Sequence, residues 1–326
     1  MIISRTPYRI SFFGGGTDYP AWYLKHGGQV LSTTIDKYIY ISCRYLPPFF
    51  EHRIRLVYSK LETCADVSEI QHPAARAILN QAGISDGLEI HYDGDLPARS
   101  GMGSSSAFSV GLINALAAYK GEERSCEDLA KEAIYIEQEI LSESVGSQDQ
   151  MNAAFGGFNH IKFRPDGEIE VRKVEISDDR KTEIKDNLML FYTGIMRTAD
   201  NVSASYVTNI EERAERLNKM SQFVNEGIDI LTGDMSLDSL GKLFHENWVE
   251  KRDLSKLVSN PRVDNIYDAA RAAGALGGKL TGAGGGGMML LYVPKSRQNH
   301  VREALSGLLF IPFHFSDTGS EIIFQD

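Results

Sequence analysis

The residues best suited to chemistry fall in three glycine-rich segments: Gly14-Gly15-Gly16-Thr17-Asp18, Gly101-Met102-Gly103-Ser104-Ser105-Ser106, and Gly282-Ala283-Gly284-Gly285-Gly286-Gly287. Glycine lets a ligand approach the backbone and adopts positive φ without a Cβ clash. One such segment could be a turn; three in one chain point to a ligand. The middle one carries the sharpest chemistry. A strand-like run, Leu88 to Tyr92, leads through Leu96-Pro97 to the glycines, and an apolar helix-like run follows the serines. A helix start leaves backbone N–H groups free and carries about half a positive charge, which suits a phosphate. The serine hydroxyls add donors and an oxygen able to ligate Mg²⁺. An ordinary capped helix would explain one serine, not three serines and two glycines. The third segment formally matches G-x-G-x-x-G at Gly282, Gly284 and Gly287. A dinucleotide fingerprint must follow a strand and open a helix; this one precedes a strand-like run, Met288 to Val293, so that reading is rejected. No P-loop pattern occurs.

Three carboxylates stand out. Asp149 sits in Gly146-Ser147-Gln148-Asp149-Gln150. Glu137 has Ala133, Ile134, Ile140 and Leu141 three and four residues away, so it points out of an apolar helical stripe. A carboxylate facing a core costs several kcal/mol unless it is paired or metal-bound. Either a buried acid with a polar partner or a metal ligand beside a phosphate satisfies that requirement. Asp18, directly after the glycines, reads on its own as a turn carboxylate.

These groups need elements to position them. Tyr8 to Phe12 and Lys37 to Arg44 alternate as half-buried strands do; Arg53 to Tyr58 and Leu88 to Tyr92 read as further strands, and Ile161 to Val174 as a hairpin turning at Asp166-Gly167. A buried helix is expected from Ser104 to about Tyr119, and a second from a capping box at Ser125 to about Ser142. The second half reads as mostly helical: Asn201 to Leu231, Leu237 to Val258, then a helix capped by Asn260 with Pro261 behind it. Ser296 is expected to cap a last helix, and Leu309 to Phe315 to form a strand. A polar surface link near 177–187 places a domain boundary, giving domains 1–182 and 183–326.

The chain has 326 residues, with 34 Lys and Arg against 44 Asp and Glu, a net charge of −10. That acidity argues against nucleic acid or an anionic membrane as the main partner, since both need a basic footprint. The longest apolar run is six residues, Met288 to Val293, far short of the ~20 that span a bilayer. Three scattered cysteines, Cys43, Cys64 and Cys126, form neither a disulfide framework nor a zinc pattern. The expectation is a cytoplasmic protein.

Three segments of this chain resemble the shared motifs of the galactose, homoserine, mevalonate and phosphomevalonate (GHMP) kinase superfamily. They are Arg9-Ile10-Ser11-Phe12-Phe13 with the glycines through Tyr19, Leu96 through Ala107, and Lys279-Leu280-Thr281 with the third glycine run. The Gly-Gly-Gly-Thr-Asp form of the first, with Trp248 to Arg252 and Ser259-Asn260-Pro261, resembles the branch of D-glycero-alpha-D-manno-heptose 7-phosphate kinases. The resemblance implies an α+β fold of two domains, a ribosomal S5 domain 2-like N-terminal domain and a ferredoxin-like C-terminal domain, with the site between them. It implies ATP-dependent phosphorylation of the anomeric hydroxyl of heptose 7-phosphate, toward nucleotide-activated heptose, with a 1-kinase of an unphosphorylated sugar as the alternative. A non-catalytic sugar or nucleotide sensor would not need the full set of groups.

The roles that follow from the resemblance are specific. Asp149 is expected to act as base or orienting group and Arg9 to stabilise the transferring charge. Gly101, Met102, Gly103, Ser104, Ser105 and Ser106 are expected around the ATP phosphates, with Ser105 and Glu137 holding Mg²⁺. Gly14, Gly15, Gly16, Thr17 and Asp18, with Gly282, Ala283, Gly284 and Gly285, are expected to contact the sugar. Galactokinases have Glu-His where Gly15-Gly16 stand, so this chain has more space and less negative charge at the far end of the sugar, as a terminal phosphate requires. Arg5, Lys37, Arg99, Arg197, Lys251 and Arg252 are the candidate cations for it.

Overall fold

The computed structural model describes residues 1–84, 87–195 and 199–326; Arg197 lies outside them. The chain runs β1 (Ile2–Phe13), α1 (Pro20–His26), β2 (Gly28–Tyr45), β3 (Ile54–Val57), β4 (Leu61–Cys64), α2 (Pro73–Gln81), β5 (Leu88–Gly94), α3 (Ser104–Tyr119), α4 (Cys126–Tyr135), α5 (Gln148–Phe155), β6 (Phe158–Phe163) and β7 (Ile169–Lys173). It continues through α6 (Asp178–Asn187), β8 (Leu188–Tyr192), α7 (Ala199–Val207), α8 (Ala214–Thr232), α9 (Asp238–Arg252), α10 (Pro261–Ala272), β9 (Gly277–Leu280), β10 (Met288–Tyr292), α11 (Gln298–Ala304), β11 (Leu309–Ile311), β12 (Phe315–Ser316) and β13 (Glu321–Gln325). This is a two-domain α+β fold.

The large mixed sheet has the order β13-β1-β2-β5-β3-β4, with β12 and the β6–β7 hairpin also on β2. Strand β2 is long enough to serve two partners: Gly28 to Thr33 pair with β6, and Ile39 to Tyr45 pair with β5. The small antiparallel sheet has the order β11-β8-β10-β9. Helix α3 is buried from Ser106 to Ala118, which explains why its sequence is apolar on nearly every side. Strand β1 slips register against β2 twice, between Pro7 and Arg9 and between Ser11 and Phe13. Pro7 has no N–H for the ladder, and beyond it the Arg9 N–H turns to Met102 O at 3.1 Å.

Several elements differ from the sequence expectation. The Ser125-capped helix keeps α geometry only to Tyr135 and then widens into a π turn over Ile136–Ile140. The run Asn201 to Leu231 breaks into α7, a 3₁₀ turn at Ile210–Arg213, and α8. There Thr208 Oγ1 donates to Ala204 O and Asn209 leaves the helical region, the usual competition of such side chains with the helix backbone. The run Leu309 to Phe315 is two strands in different sheets, Ile311 pairing with Leu190 and Phe315 with Ile35; Pro312 between them cannot continue a ladder. Ser296 lies within a 3₁₀ turn and the last helix begins at Gln298. The polar stretch at Ser177 is the capped start of α6, with Ser177 Oγ accepting from Arg180 N.

Candidate active site

A cavity of about 310 Å³ opens where the three glycine segments meet. The second and third touch backbone to backbone: a Cβ on Gly282 would stand 2.7 Å from Gly101 Cα, and one on Gly101 would stand 2.6 Å from Thr281 O. Both have positive φ, +64° and +76°, so only glycine allows this approach. Gly103, the residue before α3, is in the left-handed region and supplies no side-chain cap. The first N–H groups of α3 therefore remain available where Ser104, Ser105 and Ser106 line the cavity.

Arg9 and Asp149 form the polar centre. Arg9 Nε donates to Asp149 Oδ1 and Nη2 donates to Oδ2, both at 2.7 Å, while Nη1 donates to Gly101 O at 2.7 Å. This two-point pairing fixes the plane of the carboxylate and ties it to the phosphate loop. The slip in β1 aims Arg9 inward, and Asp149 stands in the first turn of α5.

Asp18 is fully buried, accepting from Gly16 N at 2.9 Å and from Gln148 Nε2 at 2.8 Å. Burial pushes its carboxyl above the usual range. Gly15 and Gly16 line the cavity beside it. Gly14 and Thr17 do not; Thr17 Oγ1 donates to Gly14 O and Gln29 O, so the pair builds the turn. Met102 is buried in the core. Gly282 and Ala283 reach the cavity wall, whereas Gly284 packs on Val258 and Gly285 N donates to Val258 O at 2.7 Å.

Glu137 lies in the π turn and is fully buried behind the serines. Its Oε2 accepts from Ser106 Oγ at 2.9 Å and from Gln150 Nε2 at 2.6 Å. Oε1 has no partner among the described residues, and burial pushes the acid up to about 7. An orphan carboxylate oxygen beside a phosphate cradle fits a divalent cation. Among the described residues no group of three or more His, Cys, Asp or Glu could hold a metal; Mg²⁺ bound mainly through nucleotide phosphates and water needs no such group. The serine touching Glu137 is Ser106, while Ser105 is exposed toward the cavity.

Of the candidate cations, Arg99 and Lys251 line the cavity. Arg5 pairs with Glu321, Lys37 with Asp36, and Arg252 with Asp264. Lys279, Ser11, Gln148 and Tyr206 also line it and were not anticipated as site residues. A lone lysine in Gly277-Gly278-Lys279-Leu280 was the available signal for the first.

The model of the GHMP kinases N terminal domain matches residues 69–157, and that of the GHMP kinases C terminal matches residues 231–309. A D-glycero-alpha-D-manno-heptose 7-phosphate kinase of Campylobacter jejuni is 28% identical over 318 residues, 93% of each chain. An L-fucokinase/L-fucose-1-P guanylyltransferase of Bacteroides fragilis is 26% identical, covering 93% of this chain and 35% of that one. The crystal structure of a D-glycero-D-manno-heptose 1-phosphate kinase from Bacteriodes thetaiotaomicron superposes over 100% of both chains with a TM-score of 0.82 at 23% identity. No helix among the described residues is long and apolar enough to cross a membrane.

Proposed function

The chain belongs to the GHMP kinases, a sugar kinase related to the heptose-phosphate kinases, and from that membership we propose that it transfers the γ-phosphoryl group of ATP to the anomeric hydroxyl of D-glycero-D-manno-heptose 7-phosphate. The product is the 1,7-bisphosphate. The observation that carries this reading is the meeting of Arg9, Asp149 and the open start of α3 in one cavity, which Gly15 lines without a side chain.

Each group has a task. The free N–H groups and serines at the start of α3 bind the ATP phosphates. Ser105 and Glu137, with Ser106 supporting the acid, would hold Mg²⁺, which neutralises phosphate charge when bound. Asp149 takes the proton of the anomeric hydroxyl as its oxygen attacks phosphorus and the bond to the ADP oxygen breaks. An anomeric hydroxyl is more acidic than an ordinary alcohol, so a carboxylate suffices. Arg9 has five N–H bonds and uses three on Asp149 and Gly101; the other two can meet charge on the moving phosphoryl group. Asp18 accepts from sugar hydroxyls. Gly282 and Ala283 contact the sugar from the opposite wall, while Gly284 and Gly285 pack behind them on Val258.

The likeness to the fucokinase domain favours a second reading, a 1-kinase of an unphosphorylated sugar. Steady-state rates with ATP on the free heptose and its 7-phosphate separate the two. Two charge-assisted bonds to a terminal phosphate would favour the 7-phosphate by ~10²–10⁴-fold in kcat/KM. A preference for the free sugar moves the assignment to the second reading.

A further inference from the structure

Two buried lysines in the cavity wall have no part in the transfer steps above. Lys251, in the last turn of α9, donates to Leu280 O at 3.1 Å and to Gly282 O. Lys279, in β9, donates to Ser11 O at 2.8 Å and Phe12 O at 2.9 Å, where β1 slips out of register. Once protonated, each lysine has three N–H bonds and so keeps one that no described residue accepts. Both line the cavity and both are more than nine-tenths buried. Neither forms an ion pair with a described residue. Asp18 acts on both through space; its oxygens accept from Gly16 N and Gln148 Nε2 and keep acceptor capacity for a sugar hydroxyl.

A second observation points to a ligand at the same place. Ser11 is 3% exposed, lines the cavity, and its hydroxyl has no partner among the described residues. That hydroxyl is 3.7 Å from where a Cβ on Gly15 would stand, which puts it at the widened edge of the cavity. The Ser11 carbonyl is one of the two that Lys279 binds, so the hydroxyl and the amine lie close together. Lysines serving only to pin carbonyls would not need to line a cavity beside an orphan donor. Burial of an amine costs free energy that a bound anion would offset.

We propose that Lys251, Lys279 and Ser11 seat the phosphate that the sugar substrate already carries, and so set the preference for a phosphorylated sugar. This rests on the reading of the substrate as a sugar phosphate. The phosphate has acceptor oxygens for all three donors, and its negative charge favours the protonated form of both amines.

Initial rates with the heptose 7-phosphate and the free heptose test this in wild type, Lys251→Met, Lys279→Met and Ser11→Ala. Lys251→Met should lower kcat/KM for the phosphorylated sugar about 10–100-fold, chiefly through KM, and leave the free heptose within about threefold. Ser11→Ala should do the same on a smaller scale. Inorganic phosphate should compete with the phosphorylated sugar in wild type and lose that effect in Lys251→Met. Equal losses on both sugars, with phosphate inhibition unchanged, would mean that the lysines only hold the glycine loops; the inference then falls while the substrate reading stands. A wild type that prefers the free heptose overturns both. Should Lys279→Met fail to fold, Ser11→Ala and phosphate competition carry the same decision.

Discussion

Arg9 and Asp149 hold each other through two parallel bonds, so neither side chain can be removed without freeing the other. Asp149→Asn keeps the shape, cannot take a proton, and replaces one acceptor with a donor facing Arg9. We expect kcat to fall ~10²–10⁴-fold with nucleotide binding largely kept; a kcat near wild type would remove Asp149 from the reaction. Lys251 gives a prediction about pH. Burial first, then the charge of Arg9, brings its amine down to about 7, with Asp18 opposing and Lys279 close by. Between about 7 and the unperturbed value of 10.5 the unfolded chain keeps a proton that the native chain has lost. This residue's contribution to stability therefore rises with pH across that window. Urea melts of ligand-free protein at pH 7 and pH 10 should show the difference between wild type and Lys251→Met shift toward wild type by up to ~4 kcal/mol. An unchanged difference would contradict the neutral buried amine.

At the scale of elements, the site depends on departures from regular structure. The slips in β1 release the Arg9 N–H to the phosphate loop and the Ser11 and Phe12 carbonyls to Lys279. The π turn carries Glu137 inward, a common use of such insertions. Such departures are hard to read in a sequence. The bounds of α3 were legible because an apolar run begins at three serines, but a π turn leaves the apolar spacing nearly intact. A strand slip likewise changes pairing without changing composition. The break at Pro312 was readable, since proline cannot continue a ladder, and the apolar residues on either side masked it. The contact between the second and third glycine segments allows a direct test. Gly282→Ala puts a Cβ 2.7 Å from Gly101 Cα at φ +64°, so it should cost about 1–3 kcal/mol of stability and reduce turnover. Denaturation midpoints and rates measure both; an unperturbed variant would mean that the two loops are not in contact.

For the whole molecule, the cavity draws residues from distant parts of the chain: the Lys279 bond to Ser11 spans 268 positions. The three motifs made the general site legible, because each announces a backbone conformation as well as a residue type. Lys279 was not, because its partners are backbone carbonyls that no local pattern marks. The last strand, β13, returns to pair with β1 in the large sheet, and Ser320 just before it meets Thr6 and Asn114. The strand that carries Arg9 is thus braced from both ends of the sequence. Phosphorus NMR of the product locates most directly where the phosphoryl group goes. With ATP, Mg²⁺ and heptose 7-phosphate, wild type should yield one new phosphomonoester resonance coupled to the anomeric proton beside the retained 7-phosphate signal. A new phosphate on any other carbon, or product formed only from the unphosphorylated heptose, would contradict the account.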